Sequence, residues 1–139
     1  MERTPTIADT GFVVALLNRS DTMHTVVTKI YTQQKQILLP QTVLVETAYL
    51  VGKNAGVKTV VAFLQGLSAS RFTLVALTDK DVMRVGEILH DYADSRIDFV
   101  DASVMAIAER YGIIQILTLD QRDFRLFRPQ HCDNFEILP

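Results

Sequence analysis

The chain has a single cysteine, Cys132, in 139 residues. One thiol closes no disulfide within the chain, which fits a reducing cytosol. No apolar run approaches the roughly 20 residues that a membrane-spanning helix needs. Met1 to Asp9 lacks a basic start followed by a long apolar segment, so no signal peptide is read there. These absences predict a soluble, cytoplasmic protein. An excess of positive charge is missing too: 16 Asp and Glu face 14 Lys and Arg, for a net charge of −2. Global charge therefore gives no sign of nucleic-acid binding, and a polyanion site must rest on local bases or a bound cation. Cys132, His24, His90 and His131 show no zinc-ligand spacing. No repeat, low-complexity tract or long linker divides the chain, and its length suits one domain over 1–139.

What is present is an alternation of strands and helices. Residues 6–9 read as a short strand, 11–18 as a helix and 22–34 as a second helix. In that second helix Met23, Val26, Val27, Ile30 and Tyr31 recur at helical spacing. Residues 36–39 form a strand stopped by Pro40. A helix over 42–53 ends near Asn54 and Gly56, and 57–67 is another. Residues 71–77 form a strand. Thr78 and Asp81 then match the Ser/Thr-x-x-acid start of a helix that runs to about Asp91. After a polar connection over 92–97, residues 98–111 read as a helix. It is apolar almost all round from 102 to 108, hence central and buried, and Gly112 ends it. Residues 113–119 form a strand, 121–127 a short helix and 135–138 an edge strand. This pattern predicts an α/β fold, a parallel sheet covered on both faces by helices. Sites in such sheets lie beyond the carboxyl ends of the strands.

Four carboxylates stand in apolar surroundings. Asp9 ends the first strand, and Glu46 interrupts the run from Val43 to Val51. Asp101 opens the run 102–108, and Asp120 closes the last strong apolar strand. An ionised carboxylate in such a place is costly unless it is paired or binds a cation. Four of them, brought from distant parts of the chain to one sheet edge, can share that cost by holding a metal. Mg²⁺ and Mn²⁺ prefer hard oxygen ligands. Such ions polarise phosphate and lower the pKa of bound water. The acids thus point to metal-dependent phosphodiester chemistry with one or two ions. Simpler roles stand beside this one. Asp9, Asp101 and Asp120 each occupy a position from which a helix can be capped. Glu46 lies mid-helix, where a cap is excluded and a buried ion pair or an exposed helix edge is the alternative. Asp98 and Asp123 are supporting candidates, each also readable as an ordinary helix-terminal acid. The hydroxyls of Thr10 and Thr118 flank the key acids and could hold metal water. Arg96, Arg122, Arg125 and Arg128 lie near the acidic edge in sequence. They could contact RNA phosphates, or form a solvated face.

The ordered set Ala8-Asp9-Thr10-Gly11-Phe12, Glu46 in an apolar helix, Phe99-Val100-Asp101-Ala102-Ser103, and Leu117-Thr118-Leu119-Asp120 with Asp123-Phe124 resembles a PIN domain. It is most similar to the VapC-like toxin ribonucleases of type II toxin–antitoxin pairs, over nearly the whole chain. The resemblance implies a three-layer α/β/α sandwich around a short parallel sheet. Asp9, Glu46, Asp101 and Asp120 would match the four family acids that bind Mg²⁺ or Mn²⁺ and carry catalysis. Thr118 would match the hydroxyl residue that supports the last acid. The implied activity is endonucleolytic cleavage of single-stranded or loop RNA. A homodimer and a small cognate antitoxin lying over the site are implied as well. A PIN-like nuclease in RNA processing outside a toxin pair, or a catalytically silent PIN-like binding module, are the alternatives. A response-regulator receiver usually needs an acid pair after its first strand and a late lysine, and neither is found. A haloacid-dehalogenase-like phosphatase wants Asp-x-Asp, where this chain has Asp9-Thr10-Gly11. A DNA-directed nuclease of the same fold commonly carries extra elements, for which 139 residues leave little room.

Overall fold

Short buried strands joined by helices pair in parallel, because a parallel neighbour requires a long crossover. The computed structural model has this arrangement over residues 4–139, the residues it describes. Residues 1–3, part of the segment read for a leader, lie outside the described residues. Among the described residues the strands are β1 (Thr6–Ala8), β2 (Ile37–Pro40), β3 (Phe72–Val75), β4 (Gln115–Leu117) and β5 (Glu136–Leu138). They lie in the order β3-β2-β1-β4-β5, and every pairing is parallel. The helices are α1 (Thr10–Leu17), α2 (His24–Gln33), α3 (Gln41–Ala55), α4 (Val57–Gly66), α5 (Asp79–Asp91), α6 (Phe99–Tyr111) and α7 (Gln121–Leu126). The architecture is the expected α/β/α sandwich.

The chain runs outward from β1 through β2 to β3, then returns to lay β4 and β5 on the other side of β1. Strand order therefore reverses between β1 and β4, and a crevice opens beyond the carboxyl ends of strands at such a switch point. The register pairs Ile7 with Ile116 and Ala8 with Leu117. The Asp9 N–H donates to the Leu117 carbonyl at 2.9 Å. The next residues of the two strands, Asp9 and Thr118, consequently stand side by side at the crevice.

Two of the inner strands are buried along their whole length, Thr6 to Ala8 in β1 and Ile37 to Pro40 in β2, and the third, β4, is buried except at Gln115. That is the signature of a sheet covered on both faces. Helix α6 is the central one, with every residue from Ala102 to Ala108 buried. It packs on α5, α3, β1 and β2. Both its ends are fixed. Asp98 and Asp101 form a reciprocal capping box at the start, and Gly112 stops the helix in the left-handed region at φ 66°. Near its start, Ser103 donates to the Val100 carbonyl at 2.6 Å, so Thr42 of α3 is the donor in the 2.6 Å bond between the two hydroxyls. That bond ties the helix carrying Glu46 to the helix carrying Asp101.

Some boundaries differ from those the sequence predicts. Helix α6 starts at Phe99, because Asp98 has extended backbone and sits outside as its N-cap. Strand β4 covers only Gln115–Leu117, since its partner β1 ends at Ala8. A single 3₁₀ turn at Leu67–Ala69 follows α4, held by the Ser70 hydroxyl on the Leu67 carbonyl at 2.6 Å. No helix among the described residues is long and apolar enough to cross a membrane.

Candidate active site

Each strand at the switch point delivers a carboxylate. Asp9 follows β1 directly and is 5% exposed. It occupies the N-cap position of α1, but its side chain makes no capping bond. Its Oδ2 instead accepts a 3.1 Å hydrogen bond from Thr118 Oγ1. The same hydroxyl accepts from the Asp120 N–H at 2.9 Å. One fully buried hydroxyl therefore joins the first acid to the backbone of the last. Asp120 caps α7, its Oδ1 accepting from the Asp123 N–H at 3.2 Å. At the start of α6, Asp98 Oδ1 accepts from the Asp101 N–H at 2.9 Å, and Asp101 Oδ2 accepts from the Asp98 N–H at 3.1 Å. That engages one Asp101 oxygen and leaves Oδ1 without a hydrogen bond. Capping thus accounts for Asp98, in part for Asp101 and Asp120, and not for Asp9.

Oxygens of Asp101, Asp120 and Asp123 lie within 4.8 Å of one another. Asp9 is near enough to feel the charges of Asp120 and Glu46, and Asp101 feels those of Asp9 and Asp98. The fold therefore brings Asp101, Asp120 and Asp123 into one tight group, with Asp9 and Glu46 outside it but near enough for their charges to be felt. Asp98 remains an exposed cap. Among the described residues no ion pair joins any of the five to Lys, Arg or His. Glu46 is half-buried on the middle turns of α3, and its side chain makes no hydrogen bond among the described residues.

Acids that lack a base hold their protons more tightly. Burial pushes the Asp9 carboxyl up to about 6; the Thr10 N–H and the Thr118 hydroxyl oppose this, and the Asp120 and Glu46 charges add to it. Burial, and then the Asp9 charge, push Asp101 up to about 8. Burial also raises Asp123, helped by Asp120 and opposed by the Arg122 and Arg96 charges.

The donor set fits a hard divalent cation. It consists of carboxylate oxygens, with no cysteine or histidine among them. Ligands about 2.1 Å from an octahedral Mg²⁺ are roughly 3.0 Å apart when adjacent and 4.2 Å when opposite. Three oxygens within 4.8 Å need only a small closure to reach that geometry. The buried Thr10 hydroxyl, next to Asp9, has no hydrogen-bond partner among the described residues. It is an unpartnered buried polar atom that water on a bound cation would satisfy.

Asp123 belongs to the tightest group of oxygens, although sequence reasoning assigns it only a supporting place. Its signal is the Asp120-x-x-Asp123 spacing, which places an N-cap residue and its N3 partner on one face of a first turn. The four arginines separate. Arg96 and Arg122 line a cleft of about 270 Å³ that Asp123 also lines. Arg125 is exposed on α7 and is not among the cleft's lining residues. Arg128 is bound to Asn134. A larger cavity of about 840 Å³ opens at the amino ends of the strands, among Thr4, Gln34, Gln36, Gln115 and Glu136. Glu136 is the one acid in its lining, so it lacks the chemistry of the opposite edge.

Comparison with known proteins agrees with this fold. The family model of the PIN domain matches residues 6–128. Ribonuclease VapC26 of Mycobacterium tuberculosis (strain ATCC 25618 / H37Rv) is 29% identical over 134 residues, covering 96% of this chain and 99% of the relative. The crystal structure of VapC20 of Mycobacterium tuberculosis, described as a Sarcin-Ricin loop cleaving toxin, superposes with a TM-score of 0.77 at 24% identity. That match covers 84% of this chain and 91% of the other. VapBC2 from Rickettsia felis, solved on a DNA fragment from its promoter, gives a TM-score of 0.69 at 16% identity, over 96% and 98% of the two chains.

Proposed function

The chain belongs to the PIN domain family, and on that premise we propose that it is a divalent-cation-dependent endoribonuclease acting on single-stranded or loop RNA, the toxin of a type II toxin–antitoxin pair. The observation that carries this reading is the gathering of five acids at the switch point without one paired base. The ribonuclease name of the mycobacterial relative and the loop-cleaving description of the superposed toxin support it.

Asp9, Glu46, Asp101 and Asp120, joined by Asp123, would hold one or two ions of Mg²⁺ or Mn²⁺. Such an ion, when bound, supplies charge neutralisation at the phosphate and a lowered pKa for water. The chain's own groups do the rest. Thr118 fixes Asp9 with a donated hydrogen bond and fixes Asp120 by accepting from its N–H. The capping box aims the remaining Asp101 oxygen. Because Asp101 and Asp9 hold protons up to about 8 and about 6, cations and protons compete for them. Cation affinity should therefore rise with pH across that range.

The partner reading rests on the surface around Glu46. Val45 is 71% exposed and Tyr49 68% exposed. They lie one turn apart on α3, flanking the acid. Val57, Val61 and Leu64 extend the exposed apolar residues along α4. Apolar surface of this kind beside a charged site suits a protein partner. A small antitoxin over the site and a second copy of the chain are the partners proposed.

The test is cleavage of a mixed-sequence single-stranded RNA by purified protein with Mg²⁺, with Mn²⁺ and with EDTA, beside Asp101→Asn. Cuts that need metal and vanish in the variant support the nuclease. Folded protein that neither cuts RNA nor binds metal is a silent binding module instead.

A further inference from the structure

A strand of RNA that reaches five carboxylates meets strong repulsion. With all five acids ionised, two divalent cations do not neutralise the site fully, and the phosphates bring further negative charge. The substrate needs local positive charge beside the site. Arg84, Arg110, Arg71 and Arg128 do not supply it, because each is engaged elsewhere, on Glu109, Asp81, Gln34 and Asn134 respectively. Arg96 and Arg122 are different. Both are exposed, and among the described residues neither makes a hydrogen bond or an ion pair. They come from separate segments, Arg96 from the α5–α6 connection and Arg122 from the first turn of α7, yet they line one cleft.

Asp123 joins that cleft to the acids, because it belongs both to the cleft's lining and to the three-carboxylate group. We propose that it is a subsite for one nucleotide unit of the RNA next to the scissile bond, its phosphate held between Arg96 and Arg122. This proposal rests on the nuclease reading and deepens it. Two planar guanidinium forks are well matched to phosphate oxygens. Asp91, Asp94 and Asp123 also line the cleft, three carboxylates against two guanidinium groups, so a phosphate is admitted only where it lies directly against Arg96 and Arg122. The cleft's 270 Å³ is just below the ~300–1,000 Å³ of a small-molecule site, which suits a single nucleotide and not a duplex. Its wall is firm where the Tyr92 ring packs tilted against Phe127, centroids 5.5 Å apart, and its hydroxyl accepts a 2.9 Å hydrogen bond from the Arg128 N–H. Leu126 adds an apolar surface for a ribose or base.

The experiment compares Arg96→Gln/Arg122→Gln with Arg125→Gln/Arg128→Gln, which removes the same charge from the neighbouring surface. RNA cleavage kinetics are measured with Mg²⁺. Binding of a labelled single-stranded oligoribonucleotide is measured in the Asp101→Asn background. The expected result is a KM raised about tenfold or more with kcat little changed, in the first pair only. The slope of log affinity against log salt should become shallower by about 0.7, the share of one phosphate that the arginines no longer neutralise. Equal behaviour of the two pairs overturns the subsite while metal-dependent cleavage leaves the nuclease standing. RNA binding that depends on Arg96 and Arg122, without cleavage by any protein, keeps the subsite and removes the nuclease. Absence of RNA binding by the otherwise native chain removes both.

Discussion

At the seam between α5 and α6, buried acids face arginines. Asp81, 3% exposed, accepts from Arg110 at 3.1 Å on both oxygens, and Glu109 takes Arg84 in a fork at 2.7 and 3.1 Å. At the carboxyl edge of the sheet Asp9 is nearly as buried, at 5%, yet its charged neighbours are Asp120 and Glu46. Helix α6 carries one acid of each kind, Asp101 at its start and Glu109 near its end. Burial alone therefore does not mark a functional acid. What marks it is burial among like charges, which is tolerated only if protons or cations fill the place that arginine fills at the seam.

The sharpest way to break this contrast is to neutralise one acid of each kind on the same helix. Asp101→Asn should lower kcat/KM on RNA by about 10³-fold or more while the fold persists. Glu109→Gln should leave cleavage near that of the native chain. In unfolding by urea the order should reverse. Glu109→Gln removes the charge and one of the two oxygens that accept from Arg84 and the Gln130 N–H, leaving Arg84 its pair with Glu87, and should destabilise by about 1–3 kcal/mol. Asp101→Asn should cost nothing at pH 8, where it relieves repulsion.

Thr118→Val tests whether the buried hydroxyl links Asp9 to Asp120. It keeps the shape but removes both bonds. Cation affinity should fall about 10–100-fold, the usual cost of losing an outer partner of a metal ligand. An unchanged affinity would show that the hydroxyl only fills space.

The smallest effect concerns pH. Folded Asp9 and Asp101 titrate at about 6 and about 8, above the ordinary carboxyl value of 3.8. Between those limits the folded state holds more protons than the unfolded one, so stability falls as pH rises. The metal-free protein should melt a few degrees higher at pH 5 than at pH 8. Saturating Mg²⁺ should remove most of that difference, and Asp101→Asn should flatten it.

Much of the fold was legible because its signals are local. Thr78 and Asp81 read as a capping box, and they form one. The apolar girdle of 102–108 read as a buried central helix, and it is. Strand order was not legible, since it depends on pairings between distant segments. That order sets β1 beside β4 and makes neighbours of Asp9 and Thr118, 109 residues apart. The Asp-x-x-Asp pattern also occurs twice and has two outcomes. At 98 and 101 only the second acid turns toward the site, whereas at 120 and 123 both do. The difference lies in where each helix starts relative to the sheet edge, which the four residues do not encode. The arginine pairs of the seam were hidden for a similar reason: they join residues 25 and 29 apart across two helices.

The most direct measurement is calorimetric titration of the metal-free protein with Mn²⁺ at pH 7.5, alongside Asp101→Asn and Glu109→Gln. Saturable binding of one or two ions to the native chain and to Glu109→Gln, lost or greatly weakened in Asp101→Asn, is the expected result. Binding that is absent from the native chain, or unchanged in Asp101→Asn, would contradict the claim that the unpaired acids form a cation site.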